Sequence, residues 1–210
     1  MGTYSTGANG AFSGKVGSVI GSNWRSVDYL RGLSKRKKKG ASELQLAQQM
    51  RFALCANQLR VIKDVLNLGF SDKKLNKITG YNAAVKIFLS EAVTGEYPNY
   101  GIDYSKIKLS KGSLYPGELS VRLDSEIVIS WTNDVNDFNS STNDKLLIII
   151  FNENKKFYKL NDAHTRDEQG ISIPLSGNPN DVLHFWSFFV KSDRSVVSDS
   201  QYIGTVTVPL

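Results

Sequence analysis

The chain has 210 residues, of which 40% are hydrophobic and 22% charged, a composition typical of one or two folded domains and not of a disordered chain. A single cysteine excludes an intrachain disulfide framework. The formal net charge is +6, but residues 1–90 carry 15 Lys and Arg against 4 Asp and Glu, whereas residues 91–210 carry 11 against 16. This asymmetry favours a polyanionic partner, or contact between the basic half of one copy and the acidic half of the next.

The sequence argues against a membrane protein, because no apolar run approaches the ~18 residues that a bilayer-spanning helix needs. The first residues are rich in glycine and lack a basic segment followed by an apolar core, so we expect no secretory signal peptide. Synthesis in the cytoplasm is therefore expected. Later release, for example within a virion-like assembly, stays open.

Residues 1–41 are predicted to form a glycine-rich and basic arm. Glycines at positions 2, 7, 10, 14, 17 and 21 indicate turns and close backbone approach, with one or two short strands between them. The segment is too polar to form a core of its own, so we expect it to complete its structure against the rest of the chain, a second copy or an anion. Its apolar side chains are predicted to form an assembly contact, which comprises Phe12, Val16, Val19, Ile20 and Trp24.

Trp24 stands where the glycine-rich part of the arm meets its basic part. A tryptophan at such a junction is either an anchor packed on the chain's own helices or a plug in a pocket of a neighbouring copy. The sequence leaves these two alternatives open.

The arm also carries seven basic side chains between residues 25 and 39, which predict contact with a polyanion or an acidic partner. They are Arg25, Arg31, Lys35, Arg36, Lys37, Lys38 and Lys39. Few aromatic residues stand among them, which argues against base stacking and for contact with phosphates. A solvated loop is the alternative. A P-loop is excluded because the spacing from Gly10 to Gly14 is one residue short and Val16 stands where Ser or Thr is required.

Residues 42–98 are predicted to form a helical region. Ser42 and Gln45 have the spacing of a capping box, and the helix that they open is expected to reach Leu68, with Gly69 as its C-cap. Two apolar stripes run along this helix. One comprises Ala47, Met50, Leu54, Val61, Val65 and Leu68, and the other comprises Leu44, Cys55, Leu59, Ile62 and Leu66. Either both stripes are buried in a small helical layer, or one of them serves a partner subunit.

A second helix, capped by Ser71 or Thr79, is predicted over about a dozen residues around Ala84 and Ile87. Gly95 and Pro98 end it, and the hydrophobic period changes to two after residue 102. We therefore place a domain boundary at residues 98 and 99.

Residues 99–210 are predicted to form an antiparallel β-sandwich. Short alternating runs recur at a spacing of about 10 residues and are separated by Asn-, Asp-, Gly- and Ser-rich turns, with no helical stretch between them. Trp131, at the end of one such run, is typical of an immunoglobulin-like or fibronectin-like core tryptophan. The predicted fold class is therefore α+β, with the glycine-rich arm and a small helical layer preceding an immunoglobulin- or fibronectin-like sandwich.

Three stretches of the chain carry a resemblance to a known family. The first is Gly10-x-Phe12-Ser13-Gly14-Lys15-Val16-Gly17-x-Val19-x-Gly21-x-x-Trp24. The second is Gly80-Tyr81-Asn82-Ala83-Ala84 with Gly95-Glu96-Tyr97-Pro98-Asn99-Tyr100-x-Ile102-Asp103-Tyr104-Ser105-Lys106, and the third is Ser200-x-Tyr202-Ile203-Gly204-Thr205-Val206. Over nearly its whole length the chain resembles an uncharacterised family of unknown function from Bacteroidota. The resemblance implies no activity. Members usually carry prolines where residues 35–39 here are basic.

Catalytic and metal-binding signatures are weak. His164 stands with Asp162 and Asp167 in a polar segment, but one histidine without a cysteine makes a poor metal site. Cys55 lies in an apolar helical run, where a buried thiol is expected. No nucleophile with a paired base stands out, so we predict that the chain is not an enzyme and needs no cofactor or metal.

These observations predict a non-enzymatic structural protein that self-assembles into a homo-oligomer through its arm and its charge-complementary halves. A filament-forming or phage-derived component is the form we have in mind. The alternative is a nucleic-acid-binding protein that uses its basic N-terminal half and contacts phosphates without sequence preference.

Overall fold

The structure, a computed structural model, describes residues 2–3, 12–24, 27–33, 40–71, 78–133, 135, 139–175 and 177–209. The chain divides into two compact units, Met1–Ser42 and Glu43–Leu210. The predicted α+β fold is confirmed, because the chain contains helices and mostly antiparallel strands in separate sheets.

The first unit contains a four-stranded antiparallel sheet in the order β1-β4-β3-β2. Its strands are β1 (Gly2–Thr3), β2 (Gly14–Val16), β3 (Val19–Trp24) and β4 (Val27–Gly32). The arm therefore has more strands than the one or two that its sequence predicts. Gly17 and Ser18 connect β2 to β3, and the backbone of Gly17 has a φ of +59°. A glycine at the first position of a two-residue hairpin is the preference of a type II′ turn.

The second unit begins with helices. They are α1 (Glu43–Leu59), a 3₁₀ turn (Arg60–Ile62), α2 (Lys63–Gly69), α3 (Gly80–Ile87) and a π-helical turn (Phe88–Ala92). The predicted single helix from Ser42 to Leu68 is thus wrong in one respect, since the 3₁₀ turn interrupts it. Gly69 is the last residue of α2 and Phe70 is its C-cap, so the helix ends one residue later than predicted. The hydroxyl of Thr79 accepts a hydrogen bond from the backbone N–H of Asn82 at 3.2 Å and caps α3.

The two apolar stripes of this helical region differ in burial. Cys55, Leu59, Ile62 and Leu66 are buried, whereas Leu44, at the start of the same stripe, is 83% exposed. In the other stripe Met50 and Val61 are exposed, and Leu54 and Val65 are half-buried. No residue between positions 43 and 54 is buried, and Ala47, Arg51 and Leu54 are half-buried along one side of the first three turns of α1.

The strands of the second unit follow the helices. A hairpin of β5 (Val93–Glu96) and β6 (Asn99–Ile102) occupies the place where the sequence predicts only a helix-ending turn, and a 3₁₀ turn (Tyr104–Lys106) follows it. The remaining strands are β7 (Leu119–Leu123), β8 (Ile127–Trp131), β9 (Lys145–Asn152), β10 (Phe157–Thr165), β11 (Gly170–Ile173), β12 (Val182–Val190) and β13 (Gln201–Thr207).

These strands form two antiparallel sheets, β10-β9-β12-β13 and β11-β8-β7. Side chains of β8, β9, β12 and β13 meet in one hydrophobic cluster between the sheets. Trp131 is buried in it, and its ring N–H donates to the carbonyl of Arg166 at 2.8 Å. The assignment to the immunoglobulin- or fibronectin-like class stays a prediction.

The sheet β10-β9-β12-β13 is buried on both faces along its two central strands. Ile148 and Phe185 face the cluster between the sheets, whereas Ile149 and Trp186, their neighbours in sequence, belong to a second cluster with the helices. Strands covered on both sides need apolar residues at every position, which explains the near-continuous apolar run in β9. The helices and the sheets therefore share one unit, and a core passes across the boundary that the sequence suggests at residues 98 and 99.

Candidate functional site

The sheet of residues 1–42 has two faces with different chemistry. In an antiparallel pair, residues opposite each other share a face, and neighbours along a strand point to opposite faces. The register therefore divides the side chains into two sets. The valine face comprises Gly14, Val16, Val19, Gly21, Asn23, Asp28, Leu30 and Gly32. The aromatic face comprises Lys15, Ile20, Ser22, Trp24, Val27, Tyr29 and Arg31.

The valine face has two glycines at its centre, where Gly14 pairs with Gly21. A Cβ atom at Gly21 would lie 2.2 Å from the carbonyl oxygen of Phe12 and 2.8 Å from its ring, so only glycine allows the chain to lie on the sheet there. Val16 is nevertheless 64% exposed, and Phe12 and Val19 are also exposed. At the far end of this face the Asn23 amide donates to Asp28 Oδ1 at 2.8 Å.

The aromatic face is ordered in rows across the strands. One row holds Lys15, Ile20 and Arg31, since Ile20 is opposite both basic residues. The next holds the opposed pair Ser22 and Tyr29, and the last holds Trp24 opposite Val27. Lys15, Arg31, Trp24 and Val27 are exposed, and Trp24 keeps 54% of its surface in solvent. The face thus combines two cations with two aromatic rings.

The predicted assembly residues do not form one surface. Phe12, Val16 and Val19 lie on the valine face, whereas Ile20 and Trp24 lie on the aromatic face. Alternation along β3 causes this split, because Val19 and Ile20 are adjacent residues of one strand.

Of the predicted polyanion contacts, Arg31 is placed on the aromatic face and is exposed. Arg25, Lys35, Arg36, Lys37, Lys38 and Lys39 lie outside the described residues. The structure adds Lys15, Val27 and Tyr29 to this face, and the sequence alone did not assign these three residues to a contact. Their common signal is the register of β2, β3 and β4, and the turn glycine at position 17 belongs to the β2–β3 connection alone.

The unit of residues 1–42 has no described hydrophobic core. Gly21 is its only buried residue within the described positions, and none of the described buried hydrophobic side chains of the chain belongs to it. Apolar side chains are exposed on both faces of its sheet. Such a sheet leaves apolar surface in water that another surface can cover.

In the second unit, the residues considered for metal binding or catalysis contact other protein groups or are buried. His164 Nδ1 lies 2.6 Å from Glu168 Oε2, and this contact holds the pKa of the Glu168 carboxyl below its usual range. Asp167 accepts a hydrogen bond from the Asn133 amide. Across the described positions, no three His, Cys, Asp or Glu residues are arranged to hold a metal ion. Cys55 is buried, and burial raises the pKa of its thiol to about 11, far from a reactive thiolate.

His184 is the centre of a buried aromatic cluster that joins the sheet to the 3₁₀ turn after β6. Its ring stacks on Tyr104 with centroids 4.1 Å apart. Its Nδ1 lies 3.0 Å from the Tyr202 hydroxyl and its Nε2 lies 3.2 Å from Glu153 Oε2. Burial, together with the charge of Glu153, raises the pKa of Tyr104 to about 12. Both ring nitrogens of His184 thus have protein partners, and the cluster acts as a packing contact.

The match to a known protein family covers residues 11–204 and is to a family of unknown function, DUF6266. The chain belongs to this family. The match includes β2, β3 and β4 together with the helices and nearly all of the second unit, so the exposed sheet is part of the DUF6266 domain. No curated protein and no solved structure matched the chain. In the parts of this DUF6266 chain that the structure describes, no helix has the length and apolar character that crossing a bilayer requires.

Proposed function

We propose that the chain is a non-enzymatic structural protein that self-assembles through residues 1–42. One observation carries this proposal: the four-stranded sheet exposes apolar side chains on both faces, and none of its described apolar side chains is buried. A small sheet is stable in water when a hydrophobic face packs against something else. A contact with a second copy supplies that cover.

The valine face is the better candidate for contact between copies. Val16 and Val19 are exposed on this face, Leu30 is half-buried, and the open space over Gly14 and Gly32 permits close backbone approach. The aromatic face would bring Lys15 and Arg31 of two copies together if it packed on itself, and like charges repel. The valine face carries one charged side chain, Asp28, which is paired with Asn23 within the described sheet.

Charge complementarity supports contact between different parts of two copies. Residues 1–42 carry eight Lys and Arg against one Asp, whereas residues 91–210 carry an excess of Asp and Glu. A basic arm on an acidic surface is a heterologous contact, which generates a ring or a filament. A filament-forming or phage-derived assembly is the form that we favour. The Bacteroidota source and the motif of residues 10–24 stay predictions.

Self-assembly is tested by the mass of the purified chain as a function of concentration. We expect the mass measured by light scattering to rise with concentration, and negative-stain microscopy to show rings or filaments. The neutral double change Val16→Ser with Val19→Ser should shift assembly to at least tenfold higher concentration, because it removes apolar surface from the valine face. Val135→Ser, which changes an exposed valine of the second unit, is the matched control.

A chain that stays monomeric at every concentration, and whose mass is unaffected by deletion of residues 1–24, would contradict self-assembly. Assembly that Val16→Ser with Val19→Ser leaves intact, but that the deletion abolishes, would instead move the contact away from the valine face.

A further inference from the structure

We propose that the aromatic face binds single-stranded nucleic acid, with bases stacked on Trp24 and Tyr29 and phosphates held by Lys15 and Arg31. Such binding goes beyond self-assembly and does not require it. The basic run of residues 35–39 would contact phosphates of single strands and duplexes alike. Base stacking on the aromatic face would instead favour single strands, because the bases of a duplex are not free to stack on a protein ring.

The spacing of the two rings suits neighbouring bases of an extended strand. Tyr29 is the diagonal cross-strand neighbour of Trp24, since Trp24 is opposite Val27. Diagonal neighbours in an antiparallel sheet are about 7–8 Å apart, within reach of aromatic side chains. Four-stranded sheets that bind RNA stack two or three bases on aromatic residues of one face, so the arrangement has the geometry that base stacking needs.

The cations lie beside the rings on the same face. Lys15 and Arg31 flank Ile20 on opposite sides, with two strand spacings of about 10 Å in total between their backbones. Arg31 is two residues from Tyr29 along β4, so a phosphate next to a stacked base is within reach of its guanidinium. Lys15, Arg31 and Trp24 are exposed and Tyr29 is half-buried, and cations beside aromatic rings are the combination found in single-strand binding grooves.

The distribution of charge also favours a polyanion on this face. Asp28 is the only acidic residue of positions 1–42, and the register places it on the valine face. No acidic side chain therefore opposes a phosphate among the described residues of the aromatic face. The sequence adds five basic residues at positions 35–39, immediately beyond β4.

The fold removes the objection that the sequence raises against stacking. Few aromatic residues stand within the basic run, which argues for phosphate contact alone. The register, however, brings Trp24 and Tyr29 from different strands onto the face that holds Lys15 and Arg31. An acidic protein surface would use the two cations but has no need of an exposed Trp24 ring beside a half-buried Tyr29 ring, so a single strand is the partner that accounts for all four residues.

The test uses the full chain, a short oligothymidylate and a duplex of mixed sequence and equal length. Trp131 and Trp186 are buried, so quenching of tryptophan fluorescence by the oligothymidylate reports on Trp24. We expect Trp24→Ala to weaken binding of the oligothymidylate about tenfold or more, and to leave duplex binding nearly unchanged. Trp24→Phe should retain part of the affinity without the quenching. Arg31→Gln should reduce the slope of log K against the logarithm of salt concentration by about one for either probe.

The double change Val16→Ser with Val19→Ser is the control on the opposite face, and it should leave both affinities unchanged even if it disrupts assembly. Failure of self-assembly and failure of nucleic-acid binding are therefore separate outcomes. Three results would overturn the proposal. The first is the absence of oligothymidylate binding at low salt. The second is an equal loss of affinity for the oligothymidylate and the duplex in Trp24→Ala. The third is a loss of assembly in Trp24→Ala with oligothymidylate affinity unchanged, which would make Trp24 a contact between copies.

Discussion

Arg166 is a charged side chain with no exposed surface, and several groups hold it in place. Its Nε lies 3.5 Å from Asp144 Oδ2, which is itself buried, and its Nη2 donates to the carbonyl of Tyr115 at 2.6 Å. The guanidinium lies 3.7 Å from the centroid of the Phe189 ring. An ion pair without solvent depends on both partners, because removal of either leaves an uncompensated charge.

Asp144→Asn should therefore lower the free energy of unfolding by about 3–5 kcal/mol, because it leaves the Arg166 guanidinium buried without its counter-charge. Addition of Arg166→Met should restore part of the loss, since an apolar side chain of similar length removes that charge. Urea denaturation of the two variants and the parent measures both effects. A loss below about 1 kcal/mol in Asp144→Asn would show that the pair contributes little.

Individual residues differ in how well the sequence predicts them. The burial of Cys55 follows from its place in an apolar helical run, and it is confirmed. Arg166 was not predicted to be buried, because it stands in a polar segment and its partner Asp144 is 22 residues away in the sequence. Ion pairs between distant segments leave no periodic signal, so only the fold reveals them.

At the scale of one helix, α1 offers a matched pair of leucines. Leu59 is fully buried, whereas Leu44 is 83% exposed. Leu59→Ala should lower the free energy of unfolding by about 2–5 kcal/mol, through lost burial and the cavity that remains. Leu44→Ala should change it by less than about 0.5 kcal/mol. Thermal or urea unfolding decides between them, and equal losses would mean that the first turns of α1 are packed.

The sequence predicts where an element lies better than it predicts which other element it pairs with or packs against. The sequence predicts a helix after Ser42 and its end at Gly69, but not the 3₁₀ turn at Arg60–Ile62, because the apolar period continues through it. In the arm, the glycines predict turns, so the sequence does not show that Val19 and Ile20 alternate along one strand. Their two faces could be assigned only from the register of β2, β3 and β4.

At the scale of the whole chain, the described buried hydrophobic side chains all belong to the second unit. We therefore expect a fragment of residues 43–210 to fold and to melt within a few degrees of the full chain. Circular dichroism and calorimetry on both proteins measure this. A fragment that fails to fold, or that melts more than about 10 °C lower, would show that residues 1–42 contribute to the stability of the second unit.

The α+β class and the run of strands after residue 118 could be read from the change in hydrophobic period, and the class is confirmed. The layering of helices and sheets could not be read from the sequence, because a continuous apolar run such as β9 is equally consistent with a buried helix segment or a buried strand. Its two clusters, one with the helices and one with β8, become visible only when both covering layers are in place.

The exposed start of α1 has a mechanical consequence if residues 1–42 are pulled within an assembly. Arg51 ties α1 to its own unit, since its guanidinium donates to the carbonyl of Leu89 at 2.6 Å and lies over the Tyr100 ring. The eight residues before it, 43–50, have no buried side chain, and a helix so short is marginal in water. Unwinding them from about 1.5 to about 3.4 Å per residue lengthens the connection by about 15 Å. If these eight residues unwind under tension, the chain gains that length without exposing a buried side chain.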